Sequence, residues 1–325
     1  MKKFFFLIII SFLFTACSIE TIDTEEYPLY FSIMIHMEED FKDDKDVAVF
    51  EKHVQQLNMA MDLADDYDAK ITIETEIPFA SAVKNSGSDI LTNALERGNG
   101  VGTHCGSAMD TSSIAALTES YLKRKELVDS LVGKENNRGC SGGWGESDSV
   151  LAAQEAGFSY LDGIVYLAYL AQDQSIRPNQ VTDEEIREIY YHDPVIPEFS
   201  DHIYPRFVKN AEDFIEDEEG TFVLLNGALG EIGSLAEDRK TCGTKCKLTK
   251  EDLEFIYDKI TDANKIRDKE RVAHLFVHLP LKYYTKENEE ILRSFFAHMQ
   301  ELQKRGEIQW GTQGEVYDTK VSERK

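Results

Sequence analysis

Short apolar runs alternate along this chain with longer segments whose apolar positions recur every three or four residues. The first run, Tyr30 to Phe41 (YFSIMIHMEEDF), reads as a buried β-strand. Phe50, Val54, Leu57 and Met61 then recur at helical spacing within Val47 to Tyr67. A strand from Ala69 to Phe79 (AKITIETEIPF), a helix near Ser88 to Arg97 closed by Gly98, and a strand from Gly100 to His104 follow. Next come a helix over Ser112 to Val132, a short extended piece from Asn137 to Gly142, a helix from Asp148 to Ala156 stopped by Gly157, and the strand FSYLDGIVY. Four of the seven prolines (Pro178, Pro194, Pro197 and Pro205) then crowd one stretch, which predicts an irregular insertion near 172–219 with one helix at Asp183 to Tyr191. Alternation resumes with TFVLLNG (Thr221 to Gly227) and a helix from Thr249 to Asn264 opened by a Thr-x-x-Asp capping box. VAHLFVHLP, a helix from Lys286 to Arg305 ended by Gly306, and IQWGT complete the series. Strands alternating with helices imply an α/β chain with a parallel sheet, and about seven of them in one domain favour a barrel.

The N-terminus changes the picture of where such a barrel works. Met1-Lys2-Lys3 is positive, Phe4 to Phe14 is apolar but too short to span a bilayer, and Thr15-Ala16-Cys17 resembles a lipoprotein cleavage box. This predicts a signal peptide over 1–16, lipidation of Cys17, and an acidic tether over 17–27. A single barrel domain over 28–321 would follow. The expected location is exported, as a lipoprotein of the cell membrane or outer membrane.

Composition excludes some partners. The net charge is −25, and loss of Lys2 and Lys3 would leave the mature chain near −27. Such a surface repels nucleic acid and anionic lipid, so contact with a membrane is expected only through the lipid anchor. With 42% hydrophobic residues the chain is nonetheless a folding one. Four cysteines remain after Cys17, in a compartment where disulfides persist. Cys105 ends one strand and Cys140 lies in the next, and neighbouring strands about 4.8 Å apart are within disulfide reach. Pairing of Cys105 with Cys140 is predicted, and of Cys242 with Cys246 as a local loop closure.

The strand ends carry the chemistry. In the first strand Ser32, Met34, His36 and Glu38 share one face, while Ile33, Ile35, Met37 and Glu39 share the other. ITIETEIP places Glu74 and Glu76 on one face, GVGTH ends in His104, and VAHLFVHLP places His274, Phe276 and His278 together. His36, Glu38, His104 and His278 brought to one barrel mouth make the pattern of a metal or acid–base site.

The order of His36-x-Glu38, LERGNGVGTHCGS (Leu95 to Ser107), NNRGCSGGWGESDSVLAAQEAGFSYLDGIV (Asn136 to Val165), LFVHLP (Leu275 to Pro280) and GEIQWGTQGEVYDTKV (Gly306 to Val321) resembles the polysaccharide deacetylase superfamily. That resemblance implies a distorted (β/α) barrel with about seven parallel strands and a divalent metal, zinc in the first instance, that removes acetyl groups from a glycan. Carried onto this chain, it implies Glu38 and His104 as metal ligands. His36 stands in for a histidine expected where Ala108 lies. Glu39 or Glu76 would be general base, His278 the acid, and Arg138 the arginine that holds a carboxylate in place. Trp144, Asp162 and His192 are candidates for binding substrate, Trp144 as a stacking platform. Two other functions fit the same residues. One is glycoside hydrolysis by two carboxylates among Glu38, Glu74, Glu76 and Asp162. The other is a lipoprotein that binds glycan without turnover.

Overall fold

The computed structural model of the chain describes residues 26–106, 112–142, 148–162, 182, 184, 200–209, 216–233, 235 and 247–324. All ten strands among them belong to one sheet. In chain order the elements are β1 (Leu29–Met37), α1 (Val47–Asp66), β2 (Ile71–Thr75), α2 (Ile77–Ser86), α3 (Ile90–Glu96), β3 (Gly100–Cys105), α4 (Ile114–Val132), β4 (Gly139–Gly142), α5 (Ser149–Glu155) and β5 (Tyr160–Asp162). Then come β6 (Arg206–Val208), β7 (Phe222–Leu224), β8 (Ala228–Glu231), α6 (Lys250–Ile266), β9 (Ala273–His278), α7 (Glu289–Lys304), β10 (Gln309–Trp310) and α8 (Gln313–Glu323). The sheet order is β6-β7-β5-β4-β3-β2-β1-β9-β8, with β10 pairing with β1 off this path, and only β6 runs antiparallel to its neighbour. No helix among the described residues is long and apolar enough to cross a membrane.

β7 and β8, near the two extremes of this path, belong to one short piece of chain. Leu225 N–H donates to Leu161 O on β5, whereas two residues later Gly227 O accepts from Phe276 N on β9. A single kinked segment, 222–231, thus pairs with β5 through its first half and with β9 through its second, curling the sheet into a distorted (β/α) barrel of seven strand positions. The kink requires glycine. Gly227 has φ +98°, and a Cβ there would lie 1.8 Å from the carbonyl oxygen of His274.

Parallel registers place Ser32, Met34 and His36 of β1 on the inner face. Thr72 and Glu74 of β2, Gly102 and His104 of β3, Ser141 of β4, Asp162 of β5, and Phe276 and His278 of β9 join them there. The opposite face, with Ile33, Ile35, Ile71 and Ile73, packs under the helices. α7 shows how those helices hold. Leu292, Phe295, Phe296, Met299 and Leu302 form its buried stripe, and each such side chain stabilises by roughly 1.5–3 kcal/mol. Cys105 and Cys140 sit on adjacent strands with Cα atoms 5.7 Å apart and are joined by a disulfide.

Three expectations change. β2 stops at Thr75 instead of running to Phe79, because the Glu76 carboxylate accepts from Ile77 N–H and Pro78 follows in the first turn of α2. Glu76 is therefore a helix cap and not a strand residue. The insertion near 172–219 contains an ordered strand, β6, and the chain carries a C-terminal helix, α8, that the sequence pattern did not suggest. A Thr312/Glu315 capping box opens α8, which covers the N-terminal end of the barrel through Gln313 N–H to Thr72 Oγ1 (3.0 Å) and Arg138 to Asp318.

Inside the barrel His274 is fully buried, with Nδ1 3.0 Å from Asn226 O and Nε2 2.9 Å from Ser32 Oγ. Burial pushes its pKa down to about 3. The unfolded chain, titrating near 6.5, then takes up a proton that the folded chain refuses. This residue's contribution to stability is therefore present above pH 6.5 and is lost as pH falls toward 3, at up to about 1.4 kcal/mol per pH unit. Urea unfolding of His274→Gln at pH 6.5, 5 and 4 is expected to show a shallower acid decline than the native chain. Equal slopes would contradict the assignment.

Candidate metal centre

β1, β3 and β9 end at the same mouth, and their last inward residues meet there. His36 and His278 stack with ring centroids 4.1 Å apart, and His36 lies 4.4 Å from the ring of His104. Glu38, one residue beyond β1, reaches back over them, with Oε1 3.6 Å from His36 Nδ1 and Oε2 3.6 Å from His104 Nε2. Its side chain is 30% exposed whereas His36 is 4% exposed, so the carboxylate stands between the buried rings and the opening.

His36, Glu38 and His278 each offer one donor atom, and the three atoms lie within 4.8 Å of one another. Two imidazole nitrogens and a carboxylate oxygen suit zinc or another first-row divalent ion. The orientation of His36 fits that use. Ser141 Oγ lies 3.0 Å from its Nε2, while its buried Nδ1, beside Glu38, has no hydrogen-bond partner. A hydroxyl on one ring nitrogen fixes the tautomer and leaves the other for a metal.

His104 is engaged differently. Its Nδ1 donates to Glu76 Oε1 at 2.9 Å, and the other Glu76 oxygen lies 3.9 Å from Arg124. Burial opposes a charge on His104, but the bond to Glu76 and the nearby charges of Glu38 and Glu76 prevail, so its pKa is raised. His36 moves the other way, lowered by burial and by the charge of His104. Burial works against the Glu38 carboxylate too, yet the close approach of His36 and the charges of His104 and His278 outweigh it and hold the carboxyl far below the usual range.

The remaining candidates fall into place by register and by strand end. Glu39 points to the opposite side of β1, where its Oε1 accepts from Lys282 N–H at 2.7 Å, so it anchors the turn after β9 and stands apart from the group of His36, Glu38 and His278. Arg138 is three residues before Ser141. At about 3.3 Å per residue that puts it roughly 10 Å below the mouth, where it grips Asp318 with bonds of 2.6 and 2.9 Å. It clamps α8 and touches no site carboxylate. Asp162 is fully buried under the site beside Glu74. Burial and the Asp162 charge push Glu74 well up, burial pushes Asp162 up to about 7, and the pair therefore keeps a proton near neutrality. Trp144, His192, Cys17, Cys242 and Cys246 lie outside the described residues.

Sequence reasoning missed Ser141 and Glu231. Ser141 alternates with Cys140 in the short extended piece, so parity could have placed it inward. Glu231, whose Oε2 is 3.9 Å from His278 Nδ1, closes the glycine-broken β8, where no apolar run marks a strand.

Arg138→Ala should lower the melting temperature by about 1–3 °C, since a half-exposed bidentate pair contributes on the order of 1 kcal/mol. Metal binding should be unchanged. A loss of bound metal would return Arg138 to the site.

No protein-family model matches the chain, and no curated protein matches it. Solved structures do. Puue allantoinase aligns over 89% of this chain and 89% of its own at 12% identity, with a TM-score of 0.58. A probable polysaccharide deacetylase from Pseudomonas aeruginosa PAO1 aligns over 89% and 90% at 10% identity, with a TM-score of 0.57. The 4-alpha-glucanotransferase from Thermococcus litoralis, at 15% identity and a TM-score of 0.52, is matched over 90% of this chain, which spans only 40% of that enzyme. The chain therefore has the polysaccharide deacetylase-like fold, a (β/α) barrel with its curled, mostly parallel sheet.

Proposed function

We propose that this protein is a metal-dependent carbohydrate deacetylase held at a membrane surface by a lipid on Cys17. The observation that carries the reading is the convergence of His36, Glu38 and His278 within 4.8 Å at the open end of the barrel. The fold likeness to a polysaccharide deacetylase supports the choice of reaction. In this reading His36, Glu38 and His278 hold a divalent ion, zinc by donor type, which when bound supplies a polarised acetyl carbonyl and an acidified water. Ser141 keeps the His36 ring turned toward the ion. His104, steadied by Glu76 through Nδ1, presents Nε2 toward Glu38 at the mouth, where it can pass a proton to the departing sugar nitrogen or oxygen. Glu76, bonded to His104, acts as the orienting carboxylate.

The two-carboxylate glycosidase reading loses Glu74 and Asp162, because both are fully buried. Glycan binding without turnover is separated by experiment. Acetate release from a panel of N- and O-acetylated sugars should fall to background with a chelator and return with zinc. Sugar binding with no acetate released from any of them would favour the non-catalytic reading, and chelator-resistant release would refute the metal. Fatty-acid labelling that persists after Cys17→Ser would remove the anchor.

A further inference from the structure

Beside the metal centre lies a pocket of about 590 Å³, a volume within the range of small-ligand sites. Glu76 forms part of its wall, so it begins one side chain away from His104. Its apolar surface comes from Ile77 and Pro78 at the start of α2, whose positive dipole end opens onto it. At the rim stands Phe41, 42% exposed. The backbone that presents this ring is strained. Asp40 (φ 60°) and Phe41 (φ 47°) are successive non-glycine residues in the left-handed region, immediately after Glu38 and Glu39. Strain of this kind is held in place by its surroundings and clusters at ligand sites.

The charge of the pocket runs against that of the molecule. In a chain of net charge −25, Lys45, Lys123 and Arg124 share this one wall with Asp44 and Glu76. Arg124 is buried against Glu76 and balances it. Lys45 and Lys123 are exposed and make no ion pair among the described residues, so the described lining carries three positive side chains against two negative ones.

We infer that this pocket binds an anionic sugar, a residue carrying one carboxylate such as a uronic acid, adjacent to the sugar that is deacetylated. The pyranose face stacks on Phe41 and Pro78, and the carboxylate is met by Lys45 and Lys123. The inference rests on the carbohydrate reading above and names its substrate class as acidic glycan. It also explains how a strongly acidic protein could hold a negatively charged polymer that its overall field repels.

Titration calorimetry of the full mature protein tests this without reference to turnover, so a failure of the deacetylase reading leaves the result legible. The probes are tetragalacturonic acid and its fully methyl-esterified, uncharged form, at low salt. The native chain is expected to bind the acid roughly tenfold more tightly than the ester, since two exposed charge contacts together approach one decade of affinity. The double variant Lys45→Gln, Lys123→Gln should lose that preference, and Phe41→Ala should weaken acid and ester alike. Because a uronate could also bind a metal ion, the same preference should persist in Glu38→Ala, which lacks an ion ligand. All these side chains have exposed surface, and cooperative melting well above the assay temperature establishes that the variants fold. Equal binding of acid and ester, binding of neither, or a preference that survives the double variant or vanishes in Glu38→Ala would overturn the inference.

Discussion

Glu38→Ala is expected to leave the protein folded and to weaken its affinity for zinc by about a hundredfold or more. Substitutions one shell further out already cost 10–100-fold in metal sites. The carboxylate is 30% exposed and caps no helix, but the imidazoles that hold its carboxyl below the usual range also stabilise the fold, so a modest loss of stability at neutral pH accompanies the change. Loss of the carboxylate also removes the only charged donor of the three and leaves His36 and His278 as neutral ligands. Removing a metal ion forfeits several kcal/mol of transition-state stabilisation, so kcat/KM on an acetylated sugar should fall by about three orders of magnitude. Calorimetric zinc titration beside acetate-release kinetics checks both. Activity within about threefold of the native chain would place the ion elsewhere.

Gly227→Ala should have the largest effect on folding. The added Cβ would meet His274 O at 1.8 Å and His274 C at 2.7 Å, both backbone atoms of a central strand that cannot swing aside. Left-handed strain of roughly 1–3 kcal/mol adds to that collision. A loss above about 4 kcal/mol follows, either as a melting point lowered by roughly 10 °C or more or as a failure to accumulate soluble protein. Gly98→Ala is the control, because φ there is also positive (+80°) but nothing lies within 4 Å of the new Cβ. It should show only the strain. Two variants melting within a few degrees of each other would mean that the barrel does not depend on the 222–231 kink for its closure.

Both expectations turn on features that the sequence discloses unevenly. Residues buried on two faces of a parallel strand read as apolar runs, and that is why β1 and β9 are legible. The elements that the pattern does not mark lack such a run. β8 is ALGE and β6 is RFV, each held by pairing with a neighbour and not by its own pattern. α8 is mostly polar because it lies across the barrel end and buries only Gln313, Val316 and Lys320 among its helical residues. Period-two parity placed His36 inward correctly, and it placed Glu39 on the far side, where Lys282 N–H takes it up. Parity fails once the strand ends. Glu76 reads as a β2 residue, but Pro78 turns the chain into a helix and Glu76 reaches His104 as a cap.

Which histidines would share an ion is a finer matter than either pattern. Three strands deliver His36, His104 and His278 to one rim, and all three rings lie close together. What separates them is the partner each ring nitrogen finds. Ser141 takes one side of His36, whereas Glu76 takes Nδ1 of His104 and sets that ring apart from the donor group. Those partners come from β4 and from the first turn of α2, tens of residues away, and nothing at positions 36, 104 or 278 announces them.

The division of labour among these histidines is the central claim, and metal content measured on three purified proteins tests it most directly. Elemental analysis should find about one divalent ion per chain in the native protein and in His104→Ala, and a small fraction of that in His278→Ala. His104→Ala should nonetheless be inactive toward acetylated sugars. An ion retained in His278→Ala and lost in His104→Ala would contradict the account.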